Sequence, residues 1–340
     1  EYFENASVIE AHDYDNDGDL DVFVGNDIVS NDFGAMPNSY ILKNNKGNFS
    51  ILENQPFQNI GMITDAIWED YDSDGFVDLI LVGEWMTPKF FKNRKGNFVE
   101  ENLINSKLTG LWQQIAPFDI DKDGDVDFLL GNWGKNSKFE ASQEHPLRMY
   151  YSDFDENGST ETILCNFKNG AYYPLLGLDE LASQIVSLRK KFTNYKSFAG
   201  KSINAIFEKS VLKKARIFEV NTLASGFLKN ENNTFTFVPF KNELQVSPIS
   251  SFLEYDFNAN GVNEVLVAGN YFGVSPYHGR FDSFPGALIV NEDKIILGNK
   301  IGLNFSQKAV KKLNIIKVQN KSYVLATINN DSAQVYQLIK

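Results

Sequence analysis

The sequence predicts an all-β fold, a β-propeller of six to seven blades, and three observations carry that prediction. A nine-residue acidic turn with glycine at its sixth position recurs five times, an apolar run of strand length follows each copy, and hairpin turns between aromatic or aliphatic residues recur beside them. The copies start at residues 13, 70, 119, 153 and 256, so successive starts lie 57, 49, 34 and 103 residues apart. A unit of about 50 residues that holds several short strands suits a propeller blade better than a solenoid coil.

The turns come first. Asp13-Tyr14-Asp15-Asn16-Asp17-Gly18-Asp19-Leu20-Asp21 offers Asp13, Asp15, Asp17, Asp19 and Asp21 at its odd positions. Residues 70–78 offer Asp70, Asp72, Asp74, Phe76 and Asp78, and residues 119–127 offer Asp119, Asp121, Asp123, Asp125 and Asp127. A softened fourth copy has Asp153, Asp155, Asn157, Ser159 and Glu161; a fifth has Asp256, Asn258, Asn260, Val262 and Glu264. Oxygens at positions 1, 3, 5 and 9 converge on one point because the glycine permits a tight reversal, and position 7 adds its backbone carbonyl.

The apolar runs at 21–25, 78–83, 127–131, 161–166 and 264–269 read as strands by length and residue type. The hairpins are ILKNNKGNF at 41–49, FFKNRKGNF at 90–98 and FLKNENNTF at 227–235. The 34-residue step is too short for a four-stranded blade, so either one blade is abbreviated or the turn at 153 joins a later pair of strands. Between the fourth and fifth turns the pattern changes. Leu181, Ile185, Leu188 and Phe192 recur at helical spacing, which predicts a helical insertion over about 175–215, either a flap packed on the blades or a lid over a ligand. Strands around 315–318, 323–328 and 333–338 predict a last blade without an acidic turn.

Composition narrows the function. The net charge of −12 excludes a nucleic-acid partner, which needs a basic stripe. Four like charges within nine residues repel without a cation, so the turns predict metal where a single copy would read as an ordinary Asp-Gly turn. Calcium accepts six to eight oxygens flexibly, whereas magnesium demands a stricter octahedron, and zinc would want clustered His or Cys. An EF-hand needs Glu at position 12 between helices; here position 12 is Val24, Leu81 or Leu130 in a strand. Three to five Ca2+ ions are expected, and five would reduce −12 to about −2. Calcium modules of this affinity, on the order of 10⁻⁴–10⁻³ M, belong outside the cell.

One cysteine, Cys165, excludes an internal disulfide and reads as a buried apolar residue. No stretch approaches the roughly 18–20 apolar residues of a membrane span. The chain begins Glu1-Tyr2-Phe3, without initiator methionine or signal-peptide pattern, which reads as part of a longer precursor carrying its export signal or anchor elsewhere.

The turns and the strands after them resemble FG-GAP/VCBS repeats, as in integrin α-chain propellers and bacterial surface proteins. Residues 61–85 (GMITDAIWEDYDSDGFVDLILVGEW), 131–146 (GNWGKNSKFEASQEHP) and 221–227 (NTLASGF) resemble the large exported VCBS proteins of Bacteroidetes, of ASPIC/UnbV type. The resemblance implies a seven-bladed propeller, export, and association with outer-membrane nutrient-uptake complexes of the SusC/SusD kind. The Asn-rich fifth turn departs from the pattern.

Three functions follow. A surface module would bind a protein partner or glycan through one face, marked by Trp85, Trp112, Trp133, Tyr172, Tyr173, Tyr271, Phe272 and Tyr277, unless these are core. A polysaccharide lyase or hydrolase is the enzymatic alternative, but the metal turns claim nearly every clustered carboxylate. His12, His145 and His278 lack motif context, and only Tyr277-His278-Gly279-Arg280 stands as a catalytic candidate. The third is a subunit of a larger outer-membrane complex.

Overall fold

The computed structural model describes residues 4–275, 279–319 and 321–338. They form an all-β protein of six antiparallel sheets. The first sheet runs in chain order through β1 (Glu4–His12), β2 (Asp21–Val29), β3 (Tyr40–Asn45) and β4 (Asn48–Ile51). The second repeats it with β5 (Met62–Glu69), β6 (Asp78–Met86), β7 (Lys89–Arg94) and β8 (Asn97–Glu101), and the short β9 (Gly110–Leu111) pairs with β6.

The third sheet is split in sequence. After β10 (Gln114–Pro117) and β11 (Phe128–Gly131) the chain leaves to build β12 (Leu147–Ser152), β13 (Glu161–Lys168) and β14 (Ala171–Pro174). Five short helices follow: α1 (Leu178–Gln184), α2 (Leu188–Lys191), α3 (Tyr195–Phe198), α4 (Ile203–Ile206) and α5 (Lys209–Lys214). Strand β15 (Arg216–Val220) then pairs with β12, completing an inserted sheet in the order β14-β13-β12-β15. Only afterwards do β16 (Gly226–Asn230) and β17 (Phe235–Pro239) finish the third sheet, with Phe128 of β11 opposite Leu228 of β16. The fourth sheet comprises β18 (Ile249–Tyr255), β19 (Glu264–Gly269), β20 (Ala287–Ile289) and β21 (Ile295–Leu297). The last has three strands, β22 (Val310–Val318), β23 (Lys321–Ile328) and β24 (Gln334–Gln337).

Three expectations are refined by the structure. Where six or seven blades are expected, the described residues make five successive sheets and one inserted sheet. Of the two readings of the 34-residue step the second holds: the turn at 153 joins a later pair of strands, β12 and β13, and these belong to the inserted sheet. Over 178–214 the chain is helical in five pieces; Gly200, with φ of +70°, and the Asn194 cap of α3 interrupt what periodicity alone draws as one element.

The first strands of the five successive sheets pack neighbour to neighbour, β1 on β5, β5 on β10, β10 on β18 and β18 on β22. Ser7, Asp65, Gln114, Ser250 and Lys312, one from each, line a common channel of about 400 Å³. Register irregularities in β1, β5, β18 and β22 pass over Ser7, Thr64, Ser250 and Lys311. Bulged residues re-aim their side chains. Ser7 Oγ donates to the Ile63 carbonyl, Thr64 Oγ1 to the Trp112 carbonyl at 2.8 Å, and Ser250 Oγ to the Val310 carbonyl, so each hydroxyl ties its sheet to the next. At Gly131 a Cβ would lie 2.4 Å from the Ile249 carbonyl, a close approach of neighbouring sheets that only glycine allows.

Apolar side chains fill the wedges between sheets. Phe23, Phe57 and Phe91 lie between the first and second, Trp112, Phe128 and Phe235 between the second and third, Phe227 and Phe284 between the third and fourth, and Phe305 and Leu313 between the fourth and last. The inserted sheet is buried on both faces. Met149, Leu164 and Phe218 meet Met62, Trp85 and Leu111 of the sheets around the channel; Tyr150, Ile163 and Cys165 meet Leu181, Ile185, Leu188 and Phe192 of the helices. Cys165 is fully buried and unpaired by disulfide.

Candidate metal centres

All five acidic turns adopt one conformation. The position-1 aspartate accepts two backbone N–H groups from positions 5 and 6: Asp13 from Asp17 and Gly18, Asp70 from Asp74 and Gly75, Asp119 from Asp123 and Gly124, Asp153 from Asn157 and Gly158, and Asp256 from Asn260 and Gly261, at 2.8 to 3.2 Å. Position 5 then accepts the position-7 N–H, as Asp74 does from Phe76, Asp123 from Asp125, Asn157 from Ser159 and Asn260 from Val262. The glycines at position 6 have φ between +85° and +98°, and position 4 is also left-handed, at Asn16, Ser73, Lys122, Glu156 and Ala259. This second left-handed residue has no fixed type and so left no sequence signal. Asp19 turns its carboxylate outward to accept the Lys46 N–H at 2.8 Å, leaving only its backbone facing the turn.

Carboxylate oxygens gather within 4.8 Å of one another in four turns: Asp13, Asp15 and Asp17; Asp70, Asp72 and Asp78; Asp119, Asp121 and Asp127; Asp153, Asp155 and Glu161. Backbone N–H groups hold the position-9 acids of all five turns, three of which belong to these groups. Asp21, Asp78 and Asp127 are buried and accept the N–H of Asn44, Asn93 and Asn230 at 2.7 Å, whereas Glu161 and Glu264 reach back to the N–H of Phe154 and Phe257 at 3.1 Å. Burial pushes Asp78 up to about 7 and Asp127 up to about 6, and raises Asp21 and Glu161 as well.

The asparagines show how the hairpins and the turns form one device. Each follows a lysine in the recurrent hairpin, and that lysine enters the turn of its own sheet. Lys43 of β3 pairs with Asp15 and lies 3.5 Å from Asp17, Lys92 of β7 pairs with Asp72 and lies 2.6 Å from Asp74, and Lys229 of β16 lies 2.7 Å from Asp121. Burial works against the Lys92 ammonium, yet its carboxylate partners raise it to about 12; the same lysines lower Asp74 and Asp121. Sequence reading missed these lysines, although Lys-Asn recurs in all three hairpins.

One lysine leaves each of these three turns strongly negative. Asp15 Oδ1, Asp21 Oδ2, Asp72 Oδ1, Asp78 Oδ2 and Asp155 Oδ1 are buried oxygens without a hydrogen-bond partner among the described residues. Native proteins rarely bury a lone acceptor, and a buried carboxylate oxygen calls for a cation. The donor set is all oxygen, so it fits a hard cation. The fifth turn differs: Asn258 donates its amide to Glu264, so an N–H group occupies the carboxylate there.

Other candidates take structural places. Trp112 is core, with its indole donating to the Met86 carbonyl at 2.9 Å; Tyr172 stacks under Arg148 and Phe272 under Arg280. Trp85, Trp133 and Tyr271 line a cavity at the strand ends opposite the turns. His12 stacks on Trp68 and His145 on Phe167. Tyr277 and His278 lie outside the described residues. Among the described residues no helix is long and apolar enough to cross a membrane.

Comparison with known proteins bears on the same segment. No curated protein matches the chain. Among solved structures it is similar to the crystal structure of the V. cholerae biofilm matrix protein Bap1, with 12% identity over 98% of this chain and 69% of that one and a TM-score of 0.35. The family model described as FG-GAP-like repeat matches residues 13–81 and again residues 70–130. Between residues 13 and 130, where the first three turns stand, the chain is similar to FG-GAP-like repeats.

Proposed function

We propose that the chain is a calcium-stabilised β-propeller, exported to the cell exterior or outer-membrane surface, that serves as a binding or assembly module for a protein partner or a glycan. The five sheets around the channel are its blades. The observation that carries the reading is the set of unpartnered, buried carboxylate oxygens in the turns at Asp15, Asp21, Asp72, Asp78 and Asp155. Bound calcium supplies the positive charge that lets these carboxylates stay ionised and close together. Asp13, Asp15, Asp17 and Asp21, with their counterparts in the next three turns, are the residues that would hold it. Sites of this kind bind on the order of 10⁻⁴–10⁻³ M, which suits a calcium-rich exterior.

A binding role fits better than catalysis because the clustered carboxylates serve the turns, and His12 and His145 are engaged by aromatic rings. Native mass spectrometry and calorimetry in millimolar calcium test the reading. Four ions are expected, at the turns starting at 13, 70, 119 and 153, with a higher melting temperature than in chelator. Unoccupied turns at millimolar calcium, or identical melting in chelator, would refute it.

A further inference from the structure

A second concave site lies at the end of the strands opposite the acidic turns. A chamber of about 450 Å³ opens between the sheets around the channel and the inserted sheet, which contributes Leu164 to it. Its volume lies in the range of small-molecule sites, roughly 300–1,000 Å³. Its wall is aromatic: Trp85, Trp133, Phe139 and Tyr271 line it, and the Trp133 ring lies 5.9 Å from Phe139 and 5.5 Å from Tyr271. Its polar lining is Asp27, Thr64, Glu84, Gln113 and Lys311.

Two features set this chamber apart from a packing defect. Trp85 holds a left-handed backbone, φ of +60°, with its side chain buried. A bulky residue adopts that conformation only where surroundings enforce it, and such strain gathers at ligand sites. The indole N–H of Trp133 is buried without a partner among the described residues. Trp and Tyr usually find a partner for their polar atom when buried.

The chemistry selects the ligand. Asp27 lies close enough to Glu84 to raise it further after burial has done so, and such a pair repels anions. Lys311 stands 5.4 Å from the centre of the Tyr271 ring, the position an ammonium ligand would take against that wall, and its charge repels a second cation. Gln113 donates its amide to Glu84 at 2.9 Å and to the Leu111 and Trp112 carbonyls at 3.2 Å, which leaves its carbonyl oxygen as an acceptor and the Trp133 indole as the unpartnered donor. A hydroxyl both donates to a carboxylate or amide oxygen and accepts from an indole N–H, and the C–H face of a sugar ring packs on an aromatic plane.

We propose that this chamber binds a neutral saccharide of one or two rings, stacked on the Trp85–Trp133–Tyr271 wall and hydrogen-bonded by Asp27, Glu84 and Gln113. The proposal rests on the reading of the chain as a binding module and names what one face binds.

The test uses the calcium-loaded chain, with cellobiose, mannobiose and lactose as neutral probes and digalacturonate and glucosamine as charged controls. Tryptophan fluorescence and titration calorimetry read binding, and reducing-end release reads turnover. At least one neutral disaccharide is expected to bind, with affinity at least tenfold lower in Glu84→Gln and in Asp27→Asn, both of which keep shape and calcium-dependent melting. Trp133→Phe, which keeps an aromatic face but loses the N–H, should weaken binding less. Failure of all neutral probes, preference for digalacturonate or glucosamine, or unchanged affinity in both carboxylate variants would overturn the proposal. With calcium-dependent melting intact, those failures leave the module reading standing. Turnover that Glu84→Gln abolishes would support the site while replacing the binding-module reading with an enzyme.

Discussion

Lys92, on the third strand of the second sheet, holds its ammonium 2.6 Å from Asp74 and also pairs with Asp72, inside the acidic turn of the same sheet. It is the one positive charge that the second sheet places among the carboxylates of Asp70, Asp72, Asp74 and Asp78.

That arrangement makes the lysine a partial substitute for a cation. In Lys92→Met the metal-free turn loses its counter-charge, while a bound calcium ion loses a repulsive neighbour. The variant should melt lower in chelator yet gain more from calcium, with about tenfold tighter binding at that turn, ~1.4 kcal/mol. Paired calorimetric scans with chelator and with calcium check this; equal displacement of both scans would contradict it.

Position within the turn sets the cost of losing an acid. Asp78 is fully buried and accepts the Asn93 N–H at 2.7 Å, so Asp78→Ala strands a buried donor and removes a candidate ligand. A loss of ~2–4 kcal/mol is expected, with one calcium ion fewer. Asp125 is exposed and donates only its backbone N–H to Asp123, so Asp125→Ala should stay within about 0.5 kcal/mol. Denaturant unfolding in calcium with native mass spectrometry separates the two.

Asp65 gives the channel a pH dependence of its own. Burial pushes its carboxyl up to about 7, although it accepts the Ile115 N–H at 2.9 Å and the Gln114 amide at 2.6 Å, with Lys312 lowering it and Glu10 raising it. A folded-state value above the unfolded one means the folded chain holds the proton more tightly. The contribution of Asp65 is therefore complete below about pH 4 and lost as pH rises toward 7. Asp65→Asn, which keeps the acceptor oxygen, should flatten that fall by a few kcal/mol. Melting temperature against pH in constant calcium is the measurement, and an unchanged slope would contradict the assignment.

Ser250 ties the fourth sheet to the last through the Val310 carbonyl. Ser250→Ala should cost ~1 kcal/mol and speed hydrogen exchange along β22 before it affects β1. Uniform exchange changes across both strands would argue against a local tie.

The acidic turns were legible because everything that shapes them lies within nine residues: the position-1 carboxylate caps its own backbone, and the glycine supplies the reversal. Strand runs and hairpins were legible for the same local reason, and so was the helical character of 178–214. The sequence alone thus determined the all-β class, the repeat, the acidic clusters and the helical part of the insertion. Tertiary structure alone decided that Lys92 and Asn93 belong to the turn ending at Asp78, because pairing of β6 with β7 brings them together. It also decided that 153–161 serves an inserted sheet, since the register that sets Phe128 opposite Leu228 depends on which distant strand buries the same face. The aromatic chamber is the extreme case: Trp85, Trp133 and Tyr271 share no local pattern, and only the convergence of separate sheets beneath the inserted one brings them to a single wall.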